Sequence, residues 1–327
     1  MPQAYRTQSP IRDTAAEAFL SQLVDNPMRG LAPESAGTNA ATIARRRLLA
    51  AYPQFDALSR ETYEGSNQYD GAYVRLEKRF NKGFMLSTSY TYSRFTEKVG
   101  SLNPWEGLET RRSPVDRPHR ITFASVAELP FGKNRKWGTN WSGITEALLG
   151  GWQLAGRFEW QSGQPLTWNN DTYYDPACGD PKKLTSSWKH EGEGQKRGVD
   201  IPIFDTTCFY TLNGNPFRNA AGQPVTFQAT EIQVGAANIR RFPTTLPNVR
   251  FQSHHIADVG LTKNFALPHG MRLQLRAEAL NASNYTIFNV GNVIVDPKQA
   301  AFGRITNIDS STVIKPRDIQ LGARLTF

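Results

Sequence analysis

The last ten residues of the chain, Asp318-Ile-Gln-Leu-Gly-Ala-Arg-Leu-Thr-Phe327, alternate strictly: Ile319, Leu321, Ala323, Leu325 and Phe327 are apolar, and the residues between them are not. A period of two places each set on one face of a β-strand. About 9–11 tilted residues carry a strand across a bilayer, so a segment of this length suits hydrocarbon on one face and water on the other. A half-buried strand of a soluble sandwich would alternate in the same way. The remaining strands have to separate the two.

They repeat the pattern, and long cationic side chains keep falling on the polar face. Ala72, Val74, Leu76 and Phe80 oppose Tyr73, Arg75, Glu77 and Arg79, and Phe84, Leu86, Thr88, Tyr90 and Tyr92 oppose Met85, Ser87, Ser89, Thr91 and Ser93. Further on, Ile121, Phe123, Ala127, Leu129 and Phe131 lie opposite Arg120, Thr122, Ala124 and Glu128. Trp152, Leu154, Phe158 and Trp160 lie opposite Gln153, Arg157, Glu159 and Gln161. The last hairpin sets Ala257, Val259, Leu261 and Phe265 against Asp258, Thr262 and Asn264. It then sets Met271, Leu273, Leu275, Ala277 and Ala279 against Arg272, Gln274, Arg276 and Glu278. Sandwich strands usually run to about 5–6 residues, whereas these run to about ten. An Arg facing lipid at mid-membrane costs roughly 2–4 kcal/mol, and Arg75, Arg157, Arg276 and Arg324 all take the other face. Lys78, Arg94 and Lys263 are exceptions near strand ends, where they can snorkel. Aromatics collect at strand ends as girdles: Phe80, Phe84, Phe131, Trp152 and Phe265 at one level, Tyr92 and Trp160 at the other.

Connection lengths give an independent check, because outer-membrane barrels have short periplasmic turns and long outer loops. Strands at 69–80, 84–97, 119–131, 151–162, 255–266, 270–284 and 318–327 place tight turns at Asn81-Lys82-Gly83 and Leu267-Pro268-His269-Gly270 on one side. The segments 98–118, 163–253 and 285–316 then fall on the other. Only the 132–149 connection is long for the short-turn side. The expected fold is therefore all-β: an antiparallel up-and-down transmembrane barrel of the bacterial outer membrane. Seven is an odd count, and closed bacterial barrels have an even one, so the chain is expected to be part of a larger barrel. Residues 1–68 are read as a loop-like extracellular segment with an irregular helical turn at 14–23, and residues 69–327 as the C-terminal part of the barrel.

Composition agrees with this. Hydrophobic residues make up 39% of the chain, low for a globular protein, as expected where half of each strand and all loops are wet. No apolar run of about 18 residues exists for a spanning helix, and no apolar stretch after the N-terminus reads as a signal peptide. The +9 formal charge is scattered over loops and the polar strand face, so nucleic acid is not expected as a partner. A basic outer surface could instead bridge lipopolysaccharide.

Cys178 and Cys208, 30 positions apart in the 163–253 loop, read as a loop-closing disulfide in an oxidising compartment, with two separate buried thiols as the alternative. No zinc spacing surrounds them, the loop acids Asp171, Asp175 and Asp180 do not match an EF-hand, and no metal or cofactor is expected. His254, His255 and Asp258 are the only residues suggestive of a barrel hydrolase, without a Gly-x-Ser-x-Gly elbow or a His-Glu-x-x-His helix. No enzymatic activity is expected. Trp168, Tyr173, Tyr174 and Trp188 are candidates to stack on a sugar or peptide ligand, or else to pack the long loop against itself.

A closing strand with a C-terminal Phe resembles the assembly signal that the barrel assembly machinery reads in outer-membrane proteins. The succession of motifs goes further: Tyr52-Pro-Gln-Phe, Gly71-Ala-Tyr-Val-Arg-Leu-Glu-Lys-Arg-Phe, Gly83-Phe-Met-Leu-Ser-Thr-Ser-Tyr-Thr-Tyr-Ser, Asp116-Arg-Pro-His-Arg, Leu129-Pro-Phe-Gly, Gly150-Gly-Trp-Gln-Leu, Ser162-Gly-Gln-Pro-Leu, Phe204-Asp-Thr-Thr-Cys-Phe and Phe302-Gly-Arg-Ile. In order and spacing they resemble the C-terminal third of an Oar-like TonB-dependent transporter. The resemblance implies a barrel of about 22 strands, an N-terminal plug absent from this sequence, an inner-membrane TonB complex acting through that plug, and an unknown ligand docking on the outer loops. On this reading the chain supplies barrel wall, ligand-facing loops and the assembly strand. The alternative is a small stand-alone porin-like or adhesive barrel, closed by an eighth strand from Phe55-Asp-Ala-Leu-Ser-Arg-Glu-Thr-Tyr63.

Overall fold

The computed structural model describes residues 3–6, 13–31, 39–55, 61–103, 105–168, 172–174, 178–188, 199–210, 217–218, 224–225, 239–240, 242–288, 293–297, 299, 301–306 and 316–327. Seven long strands form one antiparallel sheet: β1 (Ser66–Asn81), β2 (Phe84–Lys98), β3 (His119–Glu128), β4 (Trp152–Gln161), β5 (His254–Ala266), β6 (Arg272–Leu280) and β7 (Asp318–Thr326). Each pairs with its sequence neighbour, in the order β1 to β7 across the sheet. This is the up-and-down meander that the alternation and connection lengths predict.

Register turns the one-strand pattern into a property of the whole wall. Because side chains alternate, two strands share an apolar face only if their pairing offset keeps the phases together. Here it does, apart from a register shift between Lys78 and Asn81 at the end of β1. One row across the sheet reads Leu321, Ala277, Leu261, Leu154, Ala127 and Phe84, and another reads Ala257, Phe158, Phe123, Thr88 and Leu76. The intervening rows are wet: Asp258, Arg157, Ala124, Ser87 and Glu77 stand side by side. Ion pairs within the wall occupy this wet phase, including Arg157 with Glu159 and Asp258, Arg120 with Glu159, Arg75 with Glu77 and Arg276 with Glu278.

Neither face of the wall is covered by protein core. Among the described residues, no buried hydrophobic side chain belongs to β1–β7. Val74 is 70% and Leu321 82% exposed. A soluble sandwich would pack one of these faces against a second sheet. An apolar face of this extent in water would be an aggregation surface, and against acyl chains it is the matched one. β1 and β7 each pair on one side only among the described residues, and lipid tolerates no unpaired edge. The candidate eighth strand falls partly outside the described residues, at 56–60.

Three strand boundaries differ from expectation by three residues or more. β3 ends at Glu128 rather than 131: Leu129 N–H still bonds Trp152 O (2.8 Å), but Pro130 has no amide to continue the ladder. Phe131 instead bridges Trp137, their rings 5.4 Å apart. β6 stops at Leu280 because Asn281 turns into the left-handed region (φ 46°), its N–H bonded to Asp258 Oδ1 at 2.9 Å. β1 begins at Ser66, inside the segment read as loop. Near the N-terminus, a regular helix at Thr14–Ser21, capped by Asp13 Oδ1 accepting from Ala16 N–H (2.9 Å), replaces the irregular turn.

The apolar-face lysines do not simply snorkel. Lys78 Nζ lies 4.8 Å from the Phe84 ring, and Lys263 Nζ lies 5.4 Å from Trp152 and 5.1 Å from Phe265. Both cations rest on girdle aromatics at the short-turn end. Lys263 is also buried, only 3% exposed, because the helix Gly143–Leu149 in the long 129–151 connection covers it. At the other end His119 sits among Tyr90, Tyr92 and Trp160. Its Nδ1 is 2.8 Å from the Tyr90 hydroxyl.

Candidate functional site: the clamped outer-loop cluster

The hydrophobic core of the molecule lies in the long connections, not under the sheet. Leu166, Trp168, Ile203, Phe204, Phe209, Phe242, Leu246, Val249, Phe251, Val293, Phe302 and Ile305 form one buried cluster. All come from the segments between β4 and β5 and between β6 and β7, on the side away from the tight turns. Within it Phe209 meets Phe204, Phe242 and Phe302 at centroid distances of 5.8, 5.1 and 4.9 Å. Mostly edge-on contacts of this kind add stability beyond area burial.

The four loop aromatics singled out in the sequence fall at different depths. Trp168 is 2% exposed and meets Phe204 and Phe242 edge-on at 5.7 and 5.1 Å. Its ring packs the loop. Tyr174 is half-buried, 5.3 Å from Phe209, in a short strand with Tyr173 that pairs with Phe209–Tyr210. The Tyr173 side chain lies outside the described residues. Trp188 is also half-buried, stacked edge-on against Phe251 at 5.3 Å, and its indole N–H donates to Arg250 O at 3.1 Å. Cys178 and Cys208 are bonded, with Cα atoms 6.1 Å apart, tying the two arms that carry Tyr174 and Phe209.

A residue that no sequence pattern marks joins this cluster to the wall. Arg250, at the end of the short strand Thr245–Arg250, spends its guanidinium on four acceptors. Nη2 donates to Asp116 Oδ2 (2.7 Å), Nη1 to Asp116 O and Gly163 O (both 3.0 Å), and Nε to Pro247 O (2.7 Å). The other Asp116 oxygen accepts the Phe95 N–H of β2 at 2.7 Å. Gly163 must be glycine, because a Cβ there would meet Phe251 O at 1.8 Å. Gly303 adopts φ 78°, a Cβ there would meet Pro202 Cβ at 2.9 Å, and its carbonyl accepts from Ile203 N–H at 2.9 Å. Beside this junction Arg111 bonds Glu97 (2.8 Å) and Thr244, whose hydroxyl donates to Glu109 at 3.1 Å. Asp116, Gly163, Phe204, Phe302 and Gly303, drawn from four motifs far apart in the chain, thus meet in one loop assembly.

The hydrolase candidates do not converge. His254 and Asp258 are four residues apart on one strand, roughly 13 Å, while the His255 ring lies on Tyr285 at 3.4 Å. Asp258 is engaged by Asn281 N–H and Arg157. Among the described residues, no cluster of His, Cys, Asp and Glu is arranged to hold a metal. Asp171 and Asp175 lie outside the described residues.

Lipid-facing wall, short turns at one end and a folded loop head at the other define a protein of the bacterial outer membrane. A family model described as an outer membrane beta barrel domain matches residues 15–320. The chain belongs to that family. The match takes in most of the segment that precedes β1. No curated protein and no solved structure matches the chain.

Proposed function

We propose that the chain forms wall, outer vestibule and closing strand of an Oar-like TonB-dependent transporter. The observation that carries this reading is the convergence around Arg250. The motifs that resemble the transporter family, Asp116-Arg-Pro-His, Ser162-Gly-Gln-Pro, Phe204-Asp-Thr-Thr-Cys and Phe302-Gly-Arg-Ile, are parts of one loop assembly rather than scattered coincidences. A passive pore needs no such head. A receptor that must present a fixed surface to a ligand does. Tyr174 and Trp188 keep part of their rings at the surface and are the ligand contacts, backed by Phe209, Phe242 and Phe251, while Trp168 packs the interior of the loop. The barrel assembly machinery reads the apolar set Ile319, Leu321, Ala323, Leu325 and Phe327, and the scattered basic loop residues meet lipopolysaccharide.

The test is energy coupling in cells carrying the assembled protein. Loss of ligand uptake on deletion of TonB, with TonB recovered on the affinity-tagged chain only where a plug-bearing segment is recovered with it, is the expected result. Uptake that persists without TonB, or steady ion conductance through the purified protein, would establish the stand-alone porin instead.

A further inference from the structure

The 129–151 connection is long for a periplasmic turn and carries more than turn-forming residues. It holds Phe131, Trp137, Trp141 and the helix Gly143–Leu149, with Lys133, Arg135 and Lys136 before the helix and Glu146 as its one acid. It lies at the same end of the sheet as the tight β1–β2 and β5–β6 turns, which is the periplasmic end.

The helix is fixed to the apolar side of the wall. Two side chains of the apolar phase bond its last carbonyls: Trp152 Nε1 donates to Leu148 O (2.9 Å), and Lys263 Nζ reaches Glu146 O (3.4 Å), which also accepts the Gly150 N–H (3.0 Å). A cation at a helix C-terminus also suits its dipole. The Glu146 carboxylate folds back to accept Lys133 N–H at 2.9 Å, and Arg135 pairs with Glu128. So held, the helix turns Ile144, Leu148 and Leu149 outward, at 79%, 64% and 51% exposure. Lys133, Lys136 and Trp137 are exposed beside it, Lys136 Nζ lying 4.9 Å from the Trp137 ring. A largely apolar furrow of about 430 Å³, whose lining includes Trp152, Leu261, Leu275, Ala277, Leu321 and the charged Arg276, continues the same face.

We propose that this connection is a binding ledge for anionic phospholipid of the periplasmic leaflet. Two observations select lipid as the occupant. The outward helix residues are continuous, through Trp152, with the wall's lipid-facing rows. The basic–aromatic run is the chemistry that seats at a phosphate-bearing interface. Lys133 and Lys136 take the headgroup phosphate, Ile144, Leu148 and Leu149 enter the acyl region, and an acyl chain lies along the furrow.

The experiment uses the full chain folded in detergent and titrated with phospholipids brominated on their acyl chains, which quench tryptophan on contact. Phosphatidylglycerol is expected to quench at roughly fivefold lower concentration than phosphatidylethanolamine. Lys133→Glu with Lys136→Glu removes that difference, and Leu148→Ser weakens quenching by both lipids. Equal quenching by the two lipids in the unaltered chain overturns the proposal. So does a preference for phosphatidylglycerol that survives the double charge reversal in protein whose circular dichroism is unchanged. Leu148→Ser makes no salt bridge and leaves the carbonyl contacts to Trp152 and Lys263, so unaltered quenching in that variant also overturns it.

Discussion

Arg250 and Asp116 meet at 2.7 Å although 134 residues separate them in sequence, and the Asp116 side chain has no exposed surface. The aspartate carries three loads at once, the Arg250 guanidinium, the Phe95 amide and the Arg112 guanidinium at 3.7 Å. Asp116→Ala therefore leaves a largely buried guanidinium and a backbone N–H short of an acceptor. A loss of about 2–3 kcal/mol is expected, between a lost charged hydrogen bond and a broken buried pair. Hydrogen exchange followed by mass spectrometry should show faster exchange at 93–96 and 245–251, with β5 and β6 unchanged. Asp116→Asn keeps shape and one acceptor and should fall between.

Glycines separate into those the fold requires and those it merely contains. At Gly163 a Cβ would overlap Phe251 O, and the neighbouring Phe251 N–H to Gln164 O bond of 2.8 Å would have to open. Gly163→Ala should cost about 3 kcal/mol, the upper end for overpacking. Gly322→Ala on β7, where a Cβ meets nothing within 4 Å, should be neutral. Thermal unfolding of the two variants side by side checks the contrast.

The disulfide bears on the head alone. Joining Cys178 to Cys208 closes a loop of about 30 residues, worth about 3–4 kcal/mol in the chain-entropy account. Reduction, or Cys178→Ser with Cys208→Ser, should open the 163–253 segment to protease. The wall, which shares no core with the head, should keep its heat-modifiable gel mobility. Simultaneous loss of both would show that head and wall unfold as one unit.

What the sequence reveals about this fold follows from where the solvent boundary lies. Lipid on one face enforces alternation along every strand, so Leu154, Phe158 and Trp160 against Gln153, Arg157 and Glu159 mark β4 without knowledge of its neighbours. The common phase of the register then follows, because one slipped strand would turn its charges into hydrocarbon. The loop head has no such rule. Phe204, Phe242 and Phe302 lie in stretches with no period, and they become a core only once the chain doubles back. Arg250 sits in Pro247-Asn-Val-Arg-Phe251, where nothing distinguishes it from a solvated loop arginine until Asp116 and Gly163 are seen beside it. The motifs containing those two residues could be matched to a family in sequence, but their physical reason was visible only in three dimensions. The helix at 143–149 was legible only as an over-long connection, since seven residues are too few to display a helical period.

The two-faced wall makes a sharp demand on adjacent positions of β3. Phe123 lies in the middle of the strand between Thr88 and Phe158, in an apolar row, while Thr122 stands between Ser89 and Glu159 in a wet one. Arginine at 123 would place its charge against acyl chains near mid-membrane, a cost of roughly 2–4 kcal/mol. Arginine at 122 reaches water and the Glu159 carboxylate, losing only the 2.6 Å hydroxyl contact with Ser89; about 1 kcal/mol is expected. Folded fraction in phospholipid vesicles, read from heat-modifiable mobility across a urea series, should therefore fall sharply for Phe123→Arg and little for Thr122→Arg. Equal sensitivity at the two positions would mean that both faces meet the same medium, and the lipid-facing assignment of the apolar rows would be lost.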